Sequence, residues 1–364
     1  MKKQQFFMTI LLLVLFSSAE KRVGGIISNN INWNEEDGPY IIEKDLLIAK
    51  STLLTINPGT RILIRNHPLP DTTVYQLDKI DSSTISIKVE GTLICLGRKD
   101  QHTYFTPVDF LEDKYSWYGI VFKSGNENVS ELTNADITGA YRGVYTVDCS
   151  PLIRSSVLEY NHIGIFCSGQ SKAEINNCVI ARNFASGILI SESNPHLNNN
   201  IVVFNRNHGL WCDGISKVYL QYNCFYANYD GNFLECDPEF GILVKTNANK
   251  DSIDLHNNIF SDPVFAGSVS DSIATEKDYN LPTFKSKIKD SSIAQIIYEG
   301  KTLPEKIFKI NQTKYQLSRY SPCIDAGHPG ESFKDIDGSR NDMGISGGPE
   351  FVSKKSKTKF NQSK

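Results

Sequence analysis

Two carboxylic acids occupy positions where neighbouring acidic side chains could perform acid and base chemistry. Asp213 and Glu235 each lie four residues after a glycine, Gly209 and Gly231, that begins a short apolar stretch. If these stretches are adjacent strands, the carboxyl groups lie close together and the pKa of one of them rises. The same pair, together with Asp237, could instead hold Ca²⁺. The plainer interpretation is a set of solvated charges on a turn.

A second candidate set is aromatic. The position two residues after each of six glycines holds an apolar side chain, and four of the six are aromatic. These residues are Val121, Tyr145, Phe166, Leu189, Trp211 and Phe233. On stacked strands these side chains would form a ladder with a spacing of about 5 Å. Such an apolar stripe is too large to face water without a reason. It is either covered, by the insert at 266–316 or a partner subunit, or it is a platform that stacks on sugar rings.

A third candidate is the stretch DIDGSRND at residues 335–342, in which Asp335 and Asp337 alternate before Gly338. This pattern suggests a calcium loop, although the twelve-residue EF-hand spacing is not met. Aspartates in such a stretch also bond turn amides, which is the interpretation that we favour. We therefore expect no required cofactor, with Ca²⁺ at Asp335 and Asp337 as the alternative.

These candidates can only meet if the chain repeats. Six glycines begin successive segments of 24, 21, 23, 22 and 22 residues, each headed by a short strand: Gly119, Gly143, Gly164, Gly187, Gly209 and Gly231. A unit of this length without a helix cannot bury its own apolar face, so neighbouring units must stack with parallel strand pairing. A polar residue, often Asn, also recurs before an apolar one, and stacked Asn side chains can satisfy the backbone at buried turns. The sequence thus predicts an all-β parallel solenoid.

The chain resembles the right-handed parallel β-helix proteins of the pectate-lyase-like superfamily over roughly residues 26 to 350. Residues 40–64, 87–97 and 117–122 resemble the opening coils, and 262–265, 321–327 and 335–348 resemble the closing segment. The resemblance implies the fold, with irregular N-terminal coils and a C-terminal capping segment. It does not imply one activity, since the class includes lyases, hydrolases, epimerases, adhesins and proteins of no known activity.

The organisation along the chain follows from the repeat and its borders. A basic start, an apolar run and small residues up to Ala19 predict a cleaved signal peptide. The protein is therefore expected to be secreted, periplasmic or on the cell surface. The predicted segments are the signal peptide (1–19), the N-terminal coils (24–118), the regular coils (119–265), the insert and closing segment (266–350) and a disordered basic tail (351–364).

Eight cysteines in an exported chain first suggest disulfides. Four of them fall into two columns that are predicted to point into the core: Cys167 with Cys212, and Cys178 with Cys224. Members of one column are two coils apart, about 10 Å, which is beyond disulfide reach. We therefore expect buried thiols here. A bridge stays open for four more: Cys95, Cys149, Cys236 and Cys323.

The overall charge of -3 gives no electrostatic signature of nucleic-acid binding. After the leader, no apolar run approaches the length of a membrane span. A polysaccharide or cell-surface glycan is the expected partner. The function that we favour is binding along the aromatic groove, of a polysaccharide or another surface ligand, without catalysis. The alternative is a polysaccharide lyase or glycoside hydrolase, acting on a glycan that could contain uronic acid, with Asp213 and Glu235 as the acid and base.

Overall fold

The computed structural model describes residues 20–65, 84–110, 115–123, 129–266 and 314–349. The predicted signal peptide, most of the insert at 266–316 and the predicted disordered tail lie outside the described residues. Within the described ranges, no helix has the length and apolar character needed to cross a membrane.

The described chain is built almost entirely of short strands. In chain order they are β1 (Lys21–Ile27), β2 (Ile31–Trp33), β3 (Tyr40–Ile48), β4 (Leu53–Ile56), β5 (Arg61–Ile64), β6 (Ser86–Val89), β7 (Thr92–Leu96), β8 (Thr103–Pro107), β9 (Gly119–Lys123), β10 (Glu131–Thr133), β11 (Ala135–Thr138), β12 (Arg142–Val147), β13 (Leu152–Arg154), β14 (Val157–Glu159), β15 (Ile163–Ser168), β16 (Glu174–Asn176), β17 (Val179–Ala181), β18 (Ile188–Ile190), β19 (His196–Asn198), β20 (Ile201–Val203), β21 (His208–Trp211), β22 (Tyr219–Gln221), β23 (Cys224–Tyr226), β24 (Gly231–Leu234), β25 (Leu243–Thr246) and β26 (Ser252–Asp254). Three 3₁₀ turns add Glu35–Asp37, Glu331–Phe333 and Gly344–Ser346.

The strands wind into a parallel β-helix with three faces. The glycine face contains β6, β9, β12, β15, β18, β21 and β24, and the second face contains β2, β4, β7, β10, β13, β16, β19 and β22. The docking face contains β5, β8, β11, β14, β17, β20 and β23, and the long strand β3 pairs into both this face and the glycine face. The hairpin of β25 and β26 is antiparallel and follows the last coil. The predicted all-β solenoid, with its period near 22 residues, is confirmed.

The interior is a stack of aliphatic columns. In the glycine face the inward column runs through Ile120, Val144, Ile165, Ile188 and Leu210, all fully buried. Each member lies in parallel register with the next, about 4.8 Å away. Burial of such columns from all three faces is what stabilises a repeat that has no core of its own.

Asparagine ladders satisfy the buried corners, as the sequence predicts. In one corner Asn161, Asn183, Asn205 and Asn228 stack, and each Oδ1 accepts the backbone N–H of the residue one coil below it. A second ladder uses Asn200, Asn223 and Asn258 in the same way.

The second ladder separates the two cysteines that the sequence assigns to one column. Cys178 points into the core, as predicted, and occupies the column of Asn200, because its backbone amide donates to Asn200 Oδ1. Cys224 pairs with Ile201 on the outer side of the docking face, so the prediction that it points into the interior was wrong. A register difference of one residue moves a side chain to the opposite side of a strand, which accounts for the error.

The described part of the closing segment, residues 314–349, lies along the flank of the solenoid. It buries the outer side of the docking face, where Val179 and Ile201 pack with Tyr315 and Met343. Asn177 Nδ2 donates to the backbone carbonyl of Asp342 at 2.8 Å, which ties the segment to the coil below. The outer side of this face is therefore occupied by the chain itself and is not open to a ligand.

Candidate functional site

The outer side of the glycine face carries the predicted side-chain ladder. The strand register aligns Val121, Tyr145, Phe166, Leu189 and Trp211 one above another. The rings of Tyr145 and Phe166 stack with centroids 4.8 Å apart and planes 5° from parallel. Residues 21 to 24 apart in sequence thus become direct neighbours on one surface.

Phe233 does not belong to this ladder, and its predicted place there was wrong. Gly231 pairs with His208 instead of Gly209, so Phe233 lies in register with the interior residue Leu210 and Leu234 lies beside Trp211. The ring of Phe233 packs inside the last coil against Phe225, at a centroid distance of 4.8 Å. A one-residue shift in strand pairing exchanges the two sides of a strand.

Most of the ladder is buried. Tyr145, Phe166 and Leu189 are only 9%, 3% and 7% exposed, so their faces are not open to a sugar ring. Trp211 and Leu234 are partly exposed, at the C-terminal end of the ladder. The accessible part of the predicted platform is therefore confined to the last two strands, which we call the open end.

An arginine that the sequence did not single out lies at the centre of the buried part. The guanidinium carbon of Arg142 is 4.6 Å from the ring centroid of Tyr145 and 4.7 Å from that of Phe166, and Nη1 donates to the Tyr118 hydroxyl at 2.8 Å. Its side chain is 1% exposed. Aromatic faces stabilise a cation by their quadrupole, so Arg142 holds the aromatic side chains together. The only signal in the sequence was a basic residue directly before Gly143.

His162 extends this cluster. Its ring stacks on Tyr141 at 5.0 Å and 8°. Burial, and secondly the neighbouring Arg142 cation, lower the pKa of His162 to about 4. His162 is therefore neutral at physiological pH and packs in this cluster without a charge.

Asp213 lies beside the open end, two residues after Trp211. Its Oδ1 accepts the backbone N–H groups of Ile215 at 3.1 Å and Ser216 at 2.9 Å, and Oδ2 accepts that of Glu192 at 2.5 Å. Partial burial raises the pKa of Asp213, but these amide donors outweigh it and hold the pKa below its usual value. The predicted rise in a coupled acid pair is thus absent at Asp213, whose ionised form suits a base or a structural role and not a general acid.

Glu235 begins the next turn and is exposed, with a left-handed φ of 52°. Asp148 and Glu192 also lie just after glycine-face strands, β12 and β18, and have left-handed φ values of 53° and 51°. We call Asp148, Glu192, Asp213 and Glu235 the acidic rim. The rim reaches the open end because the backbone amide of Glu192 donates to Asp213 Oδ2 and Glu235 directly follows Leu234.

Asp335 and Asp337 lie in the closing segment, away from the glycine face. Asp335 accepts the amides of Gly348 at 2.6 Å and Asp342 at 3.1 Å, and Asp337 accepts the amide of Ser339 at 2.9 Å. Burial, with a smaller contribution from the Asp342 charge, raises the pKa of Asp335 to about 6. Asp337 thus bonds a local turn amide, whereas Asp335 bonds amides 7 and 13 residues further along the chain. Within the described residues, no group of three or more His, Cys, Asp or Glu side chains is arranged to hold a metal.

Comparison with known proteins identifies one family. A family model described as a right handed beta helix region matches residues 111–297, which is half of the chain. No curated protein and no solved structure matches the chain.

Proposed function

The chain belongs to the right-handed β-helix family, and we propose that it is an exported protein that binds a polysaccharide at the open end of the glycine face. The observation that carries the proposal is the partial exposure of Trp211 at the end of a ladder whose other aromatic members are buried. An indole face at that position is available to stack on a sugar ring.

The rim selects among glycans. Asp213 follows Trp211 by two residues and Glu235 directly follows Leu234, and Asp213 is held in its ionised form by backbone amides. A polyuronate brought to this place meets charges of its own sign, which cost binding free energy. The preferred ligand is therefore a neutral or amino-sugar polymer, because the carboxylates can accept hydrogen bonds from its hydroxyl or ammonium groups.

The support for binding without catalysis comes from Asp213, which does not have the properties of a general acid. A glycoside hydrolase of the usual kind needs one carboxylic acid with a raised pKa to protonate the leaving oxygen. Asp213 has the opposite shift. We therefore expect no new reducing ends when the protein is incubated with its glycan. Reducing ends that appear with the wild type and disappear in Asp213→Asn would establish a hydrolase instead.

The experiment is a binding titration by calorimetry with neutral, amino-sugar and uronate oligosaccharides. Trp211→Ala should weaken binding of the preferred glycan at least tenfold. Tyr320→Ala is the matched control, because Tyr320 is an aromatic residue 72% exposed in the closing segment and far from the glycine face in sequence. Equal affinity of wild type and Trp211→Ala, or preference for the uronate, would overturn the proposal.

Export is the second part of the proposal and is tested separately. The apolar run and small residues up to Ala19 support cleavage just before Glu20. N-terminal sequencing of the mature protein from the native host should begin at or near Glu20. A mature chain that still begins at Met1 would contradict export by this route.

A further inference from the structure

Two cysteines on adjacent coils are in contact at the open end. The sulfur atoms of Cys212 and Cys236 lie 2.9 Å apart, closer than two non-bonded sulfur atoms usually approach. The two residues belong to coils stacked about 4.8 Å apart, within the Cα separation that a disulfide spans. Glu235 turns the chain with its left-handed φ of 52° directly before Cys236, which brings Cys236 against Cys212.

A second pair joins the closing segment to the solenoid. Cys224 projects from the outer side of the docking face into the buried cluster that also contains Cys323, and the neighbouring Cys323 thiol raises the pKa of Cys224. Both residues are fully buried in the cluster beneath the closing segment. The Cys323 backbone is held in place by its amide, which donates to Ser321 Oγ, and by its carbonyl, which accepts from Met343.

We propose that these contacts mature into two disulfides, Cys212–Cys236 and Cys224–Cys323, when the chain folds in an oxidising compartment. In each pair two S–H bonds break and one S–S bond forms, releasing two protons and two electrons. The oxidant is a disulfide-bearing compound, a small-molecule disulfide or an oxidoreductase of the thiol–disulfide exchange type. Its own S–S bond breaks and it leaves as two thiols. The thiols in this structure are the reduced precursors.

The other four cysteines, Cys95, Cys149, Cys167 and Cys178, show no such contact. Among the described residues, the only thiol-to-thiol hydrogen bond joins Cys212 and Cys236. Burial raises the pKa of Cys167 and Cys178 to about 12, and that of Cys95 and Cys149 to about 11. The neighbouring thiols Cys236 and Cys323 raise the pKa of Cys212 and Cys224 as well, so position beside another thiol, and not acidity, distinguishes the proposed pairs.

Each bridge would fix a different part of the molecule. Cys212 lies between Trp211 and Asp213, so a bond to Cys236 joins the last two coils directly under the open end. A bond between Cys224 and Cys323 fastens the closing segment to the docking face and closes a loop of about 100 residues, for which chain-entropy arguments give a large stabilisation. Neither consequence depends on the proposed ligand.

The direct test is peptide mapping of the mature protein, trapped at low pH and digested without reductant. We expect two linked peptide pairs, one holding Cys212 with Cys236 and the other Cys224 with Cys323. Thiol titration after denaturation should find four of the eight cysteines free. Eight free thiols after refolding with oxidised glutathione, or linkage between other cysteines, would overturn the proposal.

The order of reduction separates the two bridges. Cys236 is partly exposed, whereas Cys224 and Cys323 are fully buried. A mild phosphine reductant should therefore open Cys212–Cys236 in the folded protein, and Cys224–Cys323 only after denaturant is added. In Cys236→Ser the reduction step of the native state should be absent, and the thiols of Cys224 and Cys323 should become reactive only after denaturant is added. Cys167→Ala is the control and should show both reduction steps. Simultaneous reduction of both bridges in the native state would contradict the assignment.

Discussion

The amino group of Lys314 lies 2.6 Å from Oε2 of Glu159, on the docking face where the described part of the closing segment begins. The Tyr315 hydroxyl donates to the same oxygen at 2.5 Å. Burial alone would lower the pKa of Lys314, but the Glu159 carboxylate raises it above its usual value. This buried ion pair orients the segment that covers the docking face, so a ligand must bind elsewhere on the solenoid.

Glu159→Gln should lower the free energy of unfolding by about 3 kcal/mol or more, because it leaves the buried Lys314 ammonium without its counter-ion. Urea denaturation followed by circular dichroism measures the change. Glu331→Gln is the matched control, since Glu331 pairs with Lys334 on an exposed surface and should cost less than about 1 kcal/mol. Equal effects of the two substitutions would show that the Glu159 contact is not structural.

Asn183→Ala should destabilise the protein by about 3 kcal/mol. The substitution removes the Nδ2 bond to Leu158 O at 3.1 Å and leaves the buried amide of Asn161 without its acceptor. Asn29→Ala, at an exposed position before β2, should change stability by less than about 0.5 kcal/mol. Thermal and urea unfolding of both variants measure the difference. If Asn183→Ala left the free energy of unfolding unchanged, the asparagine ladder would not be a source of stability.

His162 should make the protein less stable in acid. Its folded-state pKa of about 4 lies below the value near 6.5 in an unfolded chain, so between these pH values the unfolded state binds the extra proton. This contribution to stability is complete above about pH 6.5 and is lost as the pH falls towards 4, with a slope of up to about 1.4 kcal/mol per pH unit. In His162→Phe that part of the slope should vanish, as measured by urea midpoints from pH 4 to 7. An unchanged slope would mean that His162 is protonated when folded.

Trp211 should account for the quenchable tryptophan emission of the described chain. The sequence has three tryptophans, and Trp33 and Trp117 are 3% and 0% exposed. Acrylamide should quench part of the wild-type fluorescence, and Trp211→Phe should remove that part while leaving the protected emission. A variant that is quenched as strongly as the wild type would place Trp211 in the interior.

The sequence predicts which strands stack into columns, but it does not predict the place of every residue in those columns. Spacing of 21 to 24 residues between glycines predicts which strands stack, because each coil must return to the same face. It does not reveal where the pairing slips by one residue, as at Gly231, since the slip depends on where the turn begins. Phe233 was therefore misplaced, and Cys236 was not recognised as the neighbour of Cys212.

The acidic rim shows a second limit of prediction from the sequence. Sequence spacing places Asp213 near Glu235, but the backbone amides that decide its protonation come from the turn conformation and from the preceding coil. Arg142 is similar, because its aromatic surroundings come from separate segments, including β12 and β15. Contacts of this kind depend on side-chain direction and are not encoded in residue type and period alone.

The central claim is that a glycan binds at the open end over Trp211, and the indole N–H signals of the three tryptophans test it most directly. Trp117 Nε1 donates to the carbonyl of Thr138 at 2.8 Å inside the core, so its signal serves as an internal reference. In ¹H–¹⁵N spectra, addition of the preferred neutral or amino-sugar oligosaccharide should shift the signal that is missing in Trp211→Phe and leave the other two unchanged. Binding that leaves the Trp211 signal in place would contradict the account.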